Sequence, residues 1–80
     1  MAQFNGHRSW NAWNVSLWIN NDEDLYSIAT ECVTKLTPQG KKPTLGMAVR
    51  RFMESFEGEF TPDKARYNHK SVEAALKDLL

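Results

Sequence analysis

The sequence predicts an all-α domain of about four short helices, and three observations carry that reading. Apolar residues recur at three- and four-residue spacing through the segments beginning near Leu25, Leu45 and Val72. Each segment follows a residue suited to capping a helix, and Pro or Gly punctuates the loops between them. No two runs alternate in a way that would let them pair as strands.

The chain has 80 residues, enough for one domain spanning 1–80. Residues 1–8 read as an irregular arm, with a turn signal at Asn5-Gly6 and Phe4 placed to tuck the arm onto the core. Ser9 is the expected cap of the first helix. Trp10, Trp13, Leu17 and Trp18 then share one face, with Ala12, Val15 and Ile19 roughly opposite. Residues 13–19 also alternate as a strand would, broken by Trp18 alone. A lone strand would leave its backbone groups unpaired, which favours the helix.

Asn21 or Asp22 caps the second helix, whose acidic first turn, Glu23 and Asp24, suits the positive end of the helix dipole. Its expected apolar stripe is Leu25, Ile28, Ala29, Cys32, Val33 and Leu36. The Pro- and Gly-containing stretch 37–43 ends it. Thr44 caps a third helix with Leu45, Ala48, Val49, Phe52, Met53 and Phe56 inward, and Gly58 stands where a terminal glycine belongs. Thr61-Pro62-Asp63 starts a turn or short helix. Ser71 is the expected cap of a last helix burying Val72, Ala75, Leu76, Leu79 and Leu80.

Composition narrows the function. Ten basic and ten acidic residues cancel, which argues against a protein that holds bulk nucleic acid. The single cysteine, Cys32, forms no internal disulfide and points to a reducing, cytoplasmic compartment. No apolar run approaches the roughly 20 residues of a membrane span, and the N-terminus is no secretory signal. His7 and His69 lie far apart and Cys32 sits in an apolar stripe, so no nucleophile–base pair is expected. Zinc spacing, a phosphate-binding glycine loop and a calcium-loop pattern are missing too. A non-enzymatic binding domain without metal or cofactor is the expectation.

Three tryptophans within nine residues, Trp10, Trp13 and Trp18, with Tyr26 just after, are the least common feature. Such rings anchor interfaces or stack on bases, yet a small domain also uses them to fill its core. Core is the simpler reading of each ring. The first helix is nonetheless apolar on two faces, too many for a small interior, so part of it is expected at an interface. The run Asn20-Asn21-Asp22-Glu23-Asp24 is better explained by capping than by metal. Lys41, Lys42, Arg50 and Arg51 are the one basic concentration, with both arginines expected on the outer side of the third helix beside Met47. Glu54, Glu57, Glu59 and Asp63 offset that field, so a solvated face is preferred to a phosphate site.

Residues 8–29 resemble a family of small proteins of bacteriophages, prophages and plasmids. Its hallmark is a run like Thr-Trp-Asn-Val-x-Leu-Trp-Ile-x-Asn-Asp-Glu-x-Leu-Tyr. Trp13-Asn14-Val15, Leu17-Trp18-Ile19, Asn21-Asp22-Glu23 and Leu25-Tyr26 match it, while Ala12 stands where threonine is usual. The resemblance implies an origin on a mobile element and a life in the bacterial cytoplasm. Small phage proteins without active sites often inhibit host machinery stoichiometrically, anti-CRISPR proteins being the best-known class. It therefore implies a protein that binds a host complex, a CRISPR–Cas effector foremost, and blocks target DNA or effector recruitment. The expected contact residues are Trp10, Asn14, Trp18, Asn20, Asn21, Asp22, Glu23, Asp24 and Tyr26. The alternative is a small nucleic-acid-binding or regulatory module using Lys41, Lys42, Arg50 and Arg51. A self-complementary first helix would instead make a homodimer.

Overall fold

The structure is a computed structural model and describes residues 9–80. The expected N-terminal arm, with Phe4 and His7, lies outside them. Four helices follow in order: α1 (Trp10–Asn21), α2 (Glu23–Thr34), α3 (Leu45–Phe56) and α4 (His69–Lys77). The segment 13–19 is helical, and no named strand occurs among the described residues.

Each helix starts where a side chain satisfies a backbone N–H that has no partner within the helix. Ser9 Oγ accepts from Ala12 N at 3.1 Å. Asp22 Oδ1 accepts from Leu25 N at 3.0 Å, and Thr44 Oγ1 from Met47 N at 3.2 Å. Each such cap stabilises its helix by about 1 kcal/mol. Asp22 does two jobs, because its own N–H closes α1 on the Trp18 carbonyl at 2.9 Å. One residue therefore joins α1 to α2.

The last cap corrects the sequence reading. Asn68, not Ser71, starts α4: Asn68 Oδ1 accepts from Ser71 N at 2.9 Å and Ser71 Oγ accepts from Asn68 N at 3.1 Å. This is a reciprocal capping box in which Ser71 is the inner member. The two bonds satisfy two donors where a cap at Ser71 would satisfy one.

α1 packs on α2 and α4, and α3 packs on the same two, so the helices close a ring around one core. Val15 and Ile19 from α1, Ala29, Cys32 and Val33 from α2, and Ala48, Val49, Phe52 and Met53 from α3 fill it. Val72, Ala75 and Leu76 complete it from α4. Two members of the expected α2 stripe do not reach it: Ile28 is 38% and Leu36 55% exposed. Leu36 lies beyond the end of α2, and Ile28 sits at the edge of a stripe already filled by Ala29 and Cys32. Leu80, at 62% exposed, also stays outside, past the last turn of α4.

The chain between α3 and α4 contributes more than a connection. Glu57 ends α3, and Gly58 follows at φ +81°, the left-handed conformation that favours glycine. Residues 59–67 then reverse on themselves, with Tyr67 N on Glu59 O at 3.1 Å and Thr61 N on Ala65 O at 2.8 Å. This turn delivers Thr61, Ala65 and Tyr67 to the interior. The Tyr67 ring closes an aromatic trio, its centroid 5.8 Å from Phe52 and 5.2 Å from Phe56. Phe52 and Phe56 stack at 4.5 Å.

Candidate functional site

α1 presents three faces. The first, Val15 and Ile19, is fully buried in the core. The second, Asn11, Asn14 and Trp18, recurs at i, i+3 and i+7 and meets the 59–67 turn. The third, centred on Trp10 and Leu17, faces outward at 41% and 37% exposure, with half-buried Trp13 between them.

The second face is a clamp. Asn11 pairs twice with the Arg66 backbone, donating from Nδ2 to O and accepting at Oδ1 from N, both at 2.8 Å. Asn14 Nδ2 and Trp18 Nε1 each donate to Asp63 Oδ2 at 2.9 Å. Asn14 Oδ1 accepts from Thr61 Oγ1 at 2.7 Å, and Thr61 Oγ1 in turn accepts from Ala65 N at 3.0 Å. The Asn14 bond, and after it the Trp18 bond, hold the Asp63 carboxyl below its ordinary range. The turn they fasten carries Lys64 at φ +72°, a conformation a non-glycine residue adopts only when its surroundings impose it.

This reassigns two expected contact residues. Asn14 is 2% exposed with both ends of its amide engaged, so it serves the fold and offers a partner nothing directly. Trp18 is half-buried with its indole N–H committed to Asp63, off the outer face that it was expected to share with Trp10. None of the three tryptophans is a buried core ring, because Val15, Ile19 and the aromatic trio already fill the interior. The polar stripe Asn11–Asn14–Trp18 was the available signal of a second docking face on α1.

The other expected contact residues stay at the surface. Asn20 and Asn21 are exposed, but their amides turn back to the Ser16 and Leu17 carbonyls at 2.8 Å each. Asp22 is held as the α2 cap. Glu23 and Asp24 are exposed in the first turn of α2, and Tyr26 is 45% exposed. The twelve residues of α1 include no Asp, Glu, Lys or Arg. The outward faces of α2, α3 and α4 all carry charge, at Glu23, Asp24 and Glu31, at Arg50 and Glu54, and at Lys70, Glu73 and Lys77.

The basic residues do not act as one patch. Lys41, Lys42 and Arg50 are exposed. Arg51, expected beside Arg50, turns to the end of α2, where Nη1 donates to Cys32 O at 3.1 Å and to Lys35 O at 2.7 Å. α2 has no basic residue in its last turn, and Arg51 satisfies the carbonyls that its end leaves open. Cys32 is buried, and burial pushes its thiol up, against a lowering by Arg51 and further small increases from Glu31 and Glu54. His69 is exposed in the first turn of α4. Among the described residues no three His, Cys, Asp or Glu side chains gather as metal ligands would. No described helix is long and apolar enough to cross a membrane.

The chain belongs to a family of unknown function, DUF7249, whose model matches residues 1–80. No curated protein and no solved structure matches it.

Proposed function

We propose that this domain is a non-catalytic binding protein that docks on a host protein complex through the outer face of α1 and inhibits it stoichiometrically. The observation that carries the reading is the uncharged α1 surface. In a chain that is 25% charged, one solvent-facing helix carries Trp10 and Leu17 and no charge at all. The centres of protein interfaces are depleted of charge and enriched in aromatic residues, whereas an ordinary solvated helix face is not. Glu23, Asp24 and Tyr26 are exposed in α2 just past the Asp22 junction and offer an acidic turn suited to a basic partner surface.

The likeness of residues 8–29 to proteins of phages and plasmids supports a host defence complex as the target. A CRISPR–Cas effector, whose nucleic-acid channel is basic, is the proposed case. There the acidic turn would compete with DNA while the α1 face supplies affinity. The nucleic-acid-binding alternative is weaker, since Arg51 is withdrawn to the end of α2.

The test is equilibrium binding of purified effector complexes to the domain, with target-DNA binding as the second readout. Leu17→Glu and Trp10→Ala alter exposed positions, so both proteins stay folded, while loss of a central anchor weakens binding by about 30-fold or more. Loss of DNA binding at a one-to-one ratio is the expected result for the native domain. Unchanged effector binding by both variants would place the interface elsewhere. A domain that leaves DNA binding intact in every host effector would remove the inhibitor reading.

A further inference from the structure

A second surface lies on the opposite edge of α2. Between α2, the stretch 35–38 and α3 runs a groove of about 770 Å³. Its apolar lining is Ile28, Cys32, Leu36 and Pro38, and it includes the two α2-stripe residues that fail to reach the core. Arg51 forms part of its wall. Only Nη1 of that guanidinium is used, on the Cys32 and Lys35 carbonyls. The Nε–H and both Nη2–H groups meet no acceptor among the described residues.

We propose that this groove binds an apolar segment of a protein partner bearing one Asp or Glu carboxylate, which pairs with the free edge of Arg51. An arginine fork anchored by backbone carbonyls loses little freedom on pairing, and its Nε–Nη2 edge matches a carboxylate with two parallel bonds. Ile28 and Leu36 supply the apolar contact on either side of that pair. Lys35 adds a second cation to the lining, and Glu31 and Glu54 set its limit. They oppose the repeated charges of a nucleic-acid backbone more than a single carboxylate, and Glu54 competes with the ligand for Arg51. The groove does not depend on the α1 face, so either surface can fail alone.

The probes are two tetrapeptides, acetyl-Leu-Glu-Leu-Leu-amide and its Gln counterpart, titrated into the full chain and followed by NMR. The expected result is a shift of the Arg51 Nε–H and the Ile28 and Leu36 methyls, with the Glu peptide binding about tenfold tighter than the Gln peptide. Glu54→Gln should tighten the Glu peptide several-fold by removing the competitor. Arg51→Gln should erase the discrimination, and because Arg51 also caps α2, Leu36→Asp serves as the surface variant that abolishes binding with α2 intact. Equal binding of the two peptides overturns the proposal, as do shifts confined to other residues. A single-stranded thymidine octanucleotide that moves the Arg51 signal when neither peptide does overturns it in favour of phosphate.

Discussion

Replacing Asn14 by alanine separates a fold residue from a contact residue on the same helix. The substitution removes the acceptor of the Thr61 hydroxyl and a donor to Asp63. Asp63 is solvated and recovers water, so the cost falls on Thr61. Thr61 is 3% exposed, and its hydroxyl proton is left without a partner in a dry site. An orphaned buried donor costs about 1–3 kcal/mol, and the lost hydrogen bond and side-chain packing add about 1 more. A loss of about 2–4 kcal/mol is therefore expected, against a total stability of about 5 kcal/mol for a domain this small. Urea unfolding followed by circular dichroism reads this as a midpoint lowered by about 2–4 M, taking a slope of about 1 kcal/mol per molar. Asn21→Ala is the paired control. That amide is exposed and bonds only within its own helix, so its removal should stay within about 0.5 kcal/mol. A midpoint for Asn14→Ala within about 0.5 M of the native protein would refute the clamp.

The same clamp predicts an acid dependence. Asp63 titrates below its ordinary value in the folded chain, so its stabilisation is present above the unfolded pKa and is lost as pH falls through the folded one. Melting temperature should therefore drop below the usual carboxylate range, and Asp63→Asn should flatten that part of the profile. A variant profile that keeps the native slope would show that other carboxylates carry the effect. Gly58→Ala should cost about 1 kcal/mol, because φ is +81° while an added Cβ meets nothing within 4 Å. Calorimetry showing no loss would mean that the turn after α3 relaxes. The buried, protonated Cys32 thiol should react slowly with an aromatic disulfide reagent at neutral pH and accelerate in urea. Immediate labelling of the native chain would show that the groove edge opens freely.

What was legible in the sequence is what short range controls. Caps at Ser9, Asp22 and Thr44 and the inner face of α3 follow from residues three or four apart. The α1 segment reads as helix because nothing else offers it a strand partner. The clamp was not legible, since Asn14 and Trp18 find Thr61 and Asp63 45 to 49 residues away. Without that turn in view, Asn14 and Trp18 read as partner contacts. Arg51 was misplaced for a related reason. Periodicity puts its Cα on the flank of α3, but only the end of α2 draws its guanidinium there. Ile28 satisfied the helical pattern and still stayed out, because pattern records direction and not how much room the core has.

The one-residue joint at Asp22 has a consequence for chain length. Asp22 closes α1 and caps α2 from one extended residue, so an inserted residue there would break one of the two caps or shift the packing of Ala29, Cys32 and Val33. Length changes are thus costly at the joint between the uncharged α1 helix and the acidic first turn of α2. The exposed tip at Gln39–Gly40 is closed only by short-range bonds around Thr37 and carries no such penalty. A fluorescent reporter or affinity tag spliced in at that tip would leave the spacing of α1 and α2 untouched, whereas one placed at the joint would separate them.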